Sequence, residues 1–277
     1  MIYHYTDLNA AKSITDNSSV WLTDYRFLND KEEFLEGFNV LCEALVAFND
    51  YSDECTPEFI KHVKSGINLI IESDITLFER NNVFVASFSH TPDLLSQWRS
   101  YGMFSLEFNE EFILEGKKGN NLCYLECHYL QNHEDALDCA ETLIKENIIP
   151  KLLKLWGKMH KALITLELHS LIEVYALAFK HSAFQDEDEV RLVISCADDD
   201  VRIKFRIKGC VLIPYIEIEF NPLALNTITI GPIDNQELSV HSLTMFANQA
   251  SRRVQEEEGI IEYSLNVDYS DIPYRSF

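Results

Sequence analysis

Apolar residues recur with two different periods along this chain, alternating with polar ones in short runs near both ends and returning every three or four positions through the middle. Ile2-Tyr3-His4-Tyr5-Thr6 reads as a strand, followed by a helix over 7–17 with Leu8, Ala11 and Ile14 on one face, and by a second strand at 20–23. Phe34, Phe38, Leu41, Leu45 and Phe48 draw an apolar stripe along a helix from about 31 to 48, with Asp30 as its cap. Thr56-Pro57, a capping residue and then a proline at the first helical position, opens another helix over 57–79. Strand character returns at 83–89; Thr91-Pro92-Asp93 supplies a cap before a short helix bearing Trp98 and Tyr101, and 103–108 pairs back as a strand. After a glycine-bearing loop at 116–121, a strand is expected at 122–129. Helix then runs from about 132 to 180, broken at Pro150, with Leu152, Trp156, Met159 and Leu163 on one face of its second half. Strands at 190–196, 201–207, 210–216 and 227–230, a helix at 235–251 and a last strand at 260–267 complete the pattern. This interleaving predicts one α+β domain over 1–277 with two helical insertions, at about 30–80 and 131–180.

Composition narrows the class. With 277 residues and 47% apolar content the chain can bury a substantial core. No run approaches about 18 uninterrupted apolar residues, and the N-terminus lacks a basic region, apolar run and small-residue cleavage site. A cytoplasmic protein without membrane contact is therefore expected. The net charge of −22 argues against affinity gained by broad neutralisation of nucleic-acid phosphates. Against that background Val201-Arg202-Ile203-Lys204-Phe205-Arg206-Ile207-Lys208 puts four cations on one strand face, where they either meet a phosphate-bearing ligand or an acidic partner, or form a solvated sheet surface. The seven cysteines include Cys123 and Cys127 followed by His128, but no second ligand pair at metal-site spacing, so reduced thiols and no metal are expected.

The chemistry-bearing residues fall in recognisable groups: Tyr3-His4-Tyr5-Thr6, Trp21-Leu22, Phe27-Leu28-Asn29-Asp30-Lys31-Glu32-Glu33, Ser87-Phe88-Ser89, Trp98-Arg99-Ser100-Tyr101-Gly102, Lys180, Glu187-Asp188-Glu189-Val190-Arg191 and Ile213-Pro214. In this order they resemble the bacterial family catalogued as domain of unknown function 2971, over nearly the whole chain, and more distantly the His-Tyr-Glu type of the ADP-ribosyltransferase superfamily. No G-x-G-x-x-G, phosphate-binding P-loop, G-x-S-x-G or H-E-x-x-H is present.

The resemblance implies an ADP-ribosyltransferase-like split β-sheet core and NAD as substrate. His4 would hydrogen-bond a ribose hydroxyl, with Tyr3 and Thr6 beside it. Tyr101 or Trp98 would stack on the cationic nicotinamide ring. Glu189 would be the catalytic carboxylate, with Glu187 as the alternative. Asn29 and Arg191 complete the expected NAD contacts, Arg191 with Lys180 at the pyrophosphate. Each assignment has a structural competitor: Glu189 can pair with Arg191 two residues away on one strand face, Trp98 and Tyr101 can be core anchors, Lys180 and Arg191 can neutralise neighbouring acids, and Asp30 with Glu33 resembles a capping box. The implied activity is NAD-dependent ADP-ribosyl transfer by a bacterial toxin or anti-phage defence effector. Its acceptor is a macromolecule, protein favoured over nucleic acid, and a neutralising or activating partner protein is compatible with that setting. An NAD glycohydrolase on the same scaffold, or a non-catalytic module binding a nucleotide or partner, are the alternatives.

Overall fold

A computed structural model describes residues 1–28, 31–72, 81–115 and 122–273. The fold is mixed α+β, built on a mostly antiparallel sheet of ten strands. Its spine is β3 (Asn81–Ser89), which pairs along its length with β8 (Glu189–Ala197); β8 in turn carries β5 (Cys123–Glu126). The other edge of β3 is shared by two wings. One consists of β1 (Ile2–Thr6), β4 (Phe104–Phe108), β11 (Leu225–Ile230) and β12 (Asn266–Tyr269); the other of β2 (Ser19–Asp24), β10 (Val211–Glu219) and β9 (Ile203–Lys208).

Alternation along the strands feeds two cores. Val83, Val85, Leu125 and Val193 face a helical layer, while Phe84, Phe88, Leu106, Phe108, Val190 and Leu192 face the opposite side with α1 (Leu8–Asn17) and α9 (Gln236–Glu258). Asp7 caps α1 by accepting from the Ala10 amide at 2.9 Å. The two expected insertions pack into a single layer: α2 (Lys31–Ala47) and α3 (Pro57–Glu72) from the first, α6 (His133–Leu143), α7 (Ile149–Leu155) and α8 (Lys161–Ala176) from the second, with α2 and α3 both against α8. The Phe34, Phe38, Leu41, Leu45 and Phe48 stripe is buried there, as its spacing predicts. The Asp30 cap, residues 73–79 of the second expected helix and the 116–121 loop lie outside the described residues.

Several boundaries differ from expectation for identifiable reasons. Pro150 does not break the long helix: it sits in the first turn of α7, and a π-helical stretch, Ile144–Ile148, absorbs the register change before it. The break comes after Leu155, at Gly157 with φ 77°, so Met159 and Leu163 leave the predicted stripe and are exposed. The expected strand at 122–129 divides at Cys127. The Cys127 amide donates to the Glu189 carbonyl and the His128 amide to that of Ala178, transferring the chain from β8 to a parallel pairing of β6 (His128–Leu130) with β7 (Phe179–His181). The Thr91-Pro92-Asp93 cap is also displaced: α4 (Leu95–Tyr101) starts at Leu95 without a side-chain cap, and Asp93 instead accepts from the Trp98 indole at 2.7 Å. The helix predicted at 235–251 runs to Glu258, and the last strand starts at Asn266 rather than 260, since Ile260 and Ile261 are exposed.

Candidate active site

The two wings diverge along the shared edge of β3. β1 keeps register there only at Tyr3 opposite Ser89, and β2 only at Thr23 opposite Val85 and Asp24 opposite Phe84. Ala86, Ser87 and Phe88 therefore face a gap in the sheet, and a cleft of about 700 Å³ opens from it. Tyr3, His4, Thr6, Tyr101, Glu187 and Glu189 line one side with Ser87 at the base; Trp21, Thr23, Arg206 and Lys208 belong to the other wing.

The gap explains the state of His4. A strand carbonyl without a neighbouring strand needs another donor, and the Ser87 carbonyl accepts from His4 Nδ1 at 2.9 Å. Since a carbonyl only accepts, Nδ1 carries the proton in the neutral ring and Nε2 keeps a lone pair. Burial holds the imidazole below its ordinary pKa of 6.5, outweighing the Ser87 bond that favours the charged form. His4 is thus a neutral acceptor at pH 7. Because the unfolded chain takes up this proton first, the stability His4 permits at neutral pH is lost as pH falls below about 6.5. Thermal melts at about pH 7.5 and about pH 5.5 should show a larger drop for wild type than for His4→Gln; equal drops would contradict the buried neutral ring.

Gly102 positions Tyr101. Its φ is 133°, and a Cβ there would lie 2.3 Å from the Thr6 carbonyl oxygen and 2.7 Å from the Asp7 amide nitrogen, so the end of α4 sits directly on the end of β1. This contact brings Tyr101 to the cleft with 46% of its surface exposed. Trp98, three residues earlier, is 1% exposed; it packs edge-on against Tyr5 at 4.6 Å and does not line the cleft. Of the two expected stacking aromatics, Trp98 is a core anchor and Tyr101 the cleft residue. Tyr3 lines the cleft with its hydroxyl donating to Glu107 at 3.1 Å.

Behind this wall lies a buried charge cluster. Glu189 Oε1 accepts from Arg191 Nε at 2.8 Å, and its Oε2 from Arg191 Nη2 at 3.1 Å and from Lys180 Nζ. Lys180 also donates to Glu187 Oε2, while Arg191 Nη1 donates to the Leu177 carbonyl at 3.0 Å. Burial alone would raise the Glu189 carboxyl; Arg191 and then Lys180 overcome it and hold the group at about 2. Burial would likewise lower Lys180, and Glu189 with Glu187 reverses this, holding the ammonium well above its usual range. The pairing of Glu189 with Arg191 allowed by their spacing is present. The role expected for Arg191 and Lys180 at a pyrophosphate is not supported by their placement: Arg191 is 2% exposed, neither residue lines the cleft, and both are committed to carboxylates. Glu187 differs from Glu189. It ends a 3₁₀ turn, lines the cleft, and its Oε1 accepts no hydrogen bond among the described residues. Asn29 lies outside the described residues.

Trp21 and Ser87 stand in the motifs that carry the resemblance without a ligand role expected for them, and the divergence of the wings is what brings them, with Thr23, to the cleft. Arg206 and Lys208 did carry a sequence signal, in the basic alternation of β9. Its four cations separate in the fold: Arg202 pairs with Asp200, Lys204 with Glu217, and Arg206 and Lys208 reach the cleft. All seven cysteines are free thiols, and no group of His, Cys, Asp and Glu able to hold a metal occurs among the described residues. No helix among those residues is long and apolar enough to cross a membrane. No protein-family model, curated protein or solved structure matches the chain.

Proposed function

We propose that the cleft binds NAD, breaks the bond between nicotinamide and ribose, and transfers ADP-ribose to a macromolecular acceptor, in the manner of the His-Tyr-Glu ADP-ribosyltransferases that the motifs resemble. The observation that carries this reading is the convergence of His4, Tyr101, Glu187 and Glu189, from three chain segments distant in sequence, on one cleft at a gap in the sheet.

Each group suits a part of the reaction. His4 Nε2, which has no hydrogen bond among the described residues, accepts one from a ribose hydroxyl. The Tyr101 ring offers its electron-rich face to the positively charged nicotinamide. Glu187 Oε1, which accepts nothing among the described residues, is placed to accept from the 2′-hydroxyl of the nicotinamide ribose. Glu189, with its pKa at about 2, is too weak a base to take a proton at neutral pH, so it acts by charge. As the glycosidic bond breaks, its electron pair leaves with the nicotinamide nitrogen and neutralises the ring, and positive charge develops on the ribose. The Glu189 carboxylate, held ionised by Arg191 and Lys180, stabilises that charge, with Glu187 beside it at the cleft. The acceptor nucleophile then donates a lone pair to the ribose C1′ and gives its proton to water. A chain with net charge −22 favours a protein acceptor over a polyanionic nucleic acid. A bacterial toxin or anti-phage effector, held in check or triggered by a partner protein, is the setting we infer.

Incubation with adenylate-labelled NAD and a cell lysate tests the reading. Label in a macromolecule should appear with wild type and fall about 10²–10³-fold with Glu187→Gln, the usual size of one lost electrostatic contact to a transition state. Nicotinamide release without labelled acceptor makes the protein a glycohydrolase instead. Neither signal, with NAD also failing to raise the melting temperature, overturns the proposal.

A further inference from the structure

Cationic side chains commonly hold dinucleotide phosphates, and the two expected to do so here, Lys180 and Arg191, are buried among carboxylates. Among the described residues the cationic side chains that line the cleft are Arg206 and Lys208, both on β9. Arg26, Arg191, Arg202 and Arg253 each carry a carboxylate. Arg206 carries none among the described residues. Its Nη2 donates to the Thr23 hydroxyl at 3.1 Å, its guanidinium carbon lies 5.7 Å from the centre of the Trp21 ring, and its Nε is buried without a hydrogen-bond partner. Trp21 is itself held by Tyr215, with ring centres 4.4 Å apart. Glu217, on the neighbouring strand β10, accepts from Ser19 at 2.6 Å and from Lys204 instead.

A guanidinium fixed on an aromatic ring, desolvated at one N–H and without an anion among the described residues, is preorganised for a phosphate group, whose oxygens match its fork. A buried donor left unpaired is costly, so an anion drawn to this guanidinium is favoured by relieving that cost. We propose that Arg206, oriented by Trp21 and assisted by Lys208, forms a phosphate subsite on the wing opposite Tyr101, and that it receives the adenosine diphosphate end of the dinucleotide. The phosphate chemistry stands on the geometry of β9; the identity of the ligand rests on the NAD reading above.

Calorimetric titration with ADP and with nicotinamide riboside, which lacks phosphate, separates the two ends. For wild type, ADP affinity should fall with added salt. Arg206→Gln should weaken ADP about 10- to 100-fold, the usual scale for hydrogen bonds to a charged group, with partial recovery in Arg206→Lys and no change for nicotinamide riboside. Lys204→Gln, on the same strand but paired to Glu217, should leave ADP affinity unchanged, and melting curves verify that each variant is folded. ADP binding unaffected by Arg206→Gln, or absent from wild type, overturns the subsite. Arg206-dependent ADP binding by a protein that leaves NAD intact would keep the subsite and remove the NAD reading. NAD cleavage with unchanged KM in Arg206→Gln would do the reverse.

Discussion

Glu189→Gln is expected to destabilise the protein by about 3–5 kcal/mol, the usual cost of breaking a buried ion pair from one side, and to lower its melting temperature by roughly 10 °C. The side chain is nearly inaccessible and its oxygens accept from Arg191 twice and from Lys180 once. Replacing the carboxylate by a neutral amide leaves two buried cations sharing Glu187 and the more distant Glu33, whose carboxylate lies 3.9 Å from Arg191. Glu187→Gln should cost less, since Glu187 meets Lys180 alone and Lys180 keeps Glu189. Chemical denaturation of the two variants beside wild type measures both losses. The pH dependence follows from the depressed carboxyl. With a folded pKa of about 2 against 4.5 unfolded, the stabilisation from Glu189 is complete above about pH 4.5 and disappears as pH falls toward 2. A Glu189→Gln protein as stable as wild type at neutral pH would mean that the charge cluster is not formed. An inactive Glu189→Gln protein by itself does not identify a catalytic carboxylate, and Glu187→Gln is the more informative change.

Two aromatics one helical turn apart should fail in opposite ways. Trp98→Ala removes a side chain buried against Tyr5 and tied to Asp93, and should cost about 3–5 kcal/mol. Tyr101→Ala removes a ring that is 46% exposed at the cleft and should cost markedly less stability than Trp98→Ala. Its expected effect is on turnover, about 10²-fold, if its ring holds the nicotinamide in reacting geometry. Denaturation curves paired with nicotinamide-release rates at equal folded concentration separate the two. A Tyr101→Ala loss as large as that expected of Trp98→Ala, or a stable Trp98→Ala, would reverse the roles given by the packing.

Much of the framework is legible from periodicity. The strands carrying His4 and Glu189, the stripe of α2 and the short helix bearing Trp98 and Tyr101 follow from alternation and three-to-four spacing. Periodicity fails where a tertiary contact overrides it. The π-helical stretch before Pro150 and the transfer of the chain at Cys127 depend on partners far along the sequence. The site is legible only in part for the same reason. A pairing of Glu189 with Arg191 can be read from a spacing of two, but the separation of Trp98 from Tyr101 depends on which face of α4 the end of β1 presses. The cleft itself arises because β1 and β2 share one edge of β3 and diverge, a matter of topology that no local pattern records. The basic alternation of β9 was visible as four equivalent cations; only the positions of Asp200 and Glu217 distinguish Arg206 and Lys208 from the other two.

The central claim is that this cleft consumes NAD. It is tested most directly by measuring nicotinamide released from NAD by the purified protein, with Tyr101→Ala beside it at equal folded concentration. Release by wild type that falls about 100-fold in the variant is the predicted result. No release from wild type, together with a melting temperature that NAD does not raise, would contradict it.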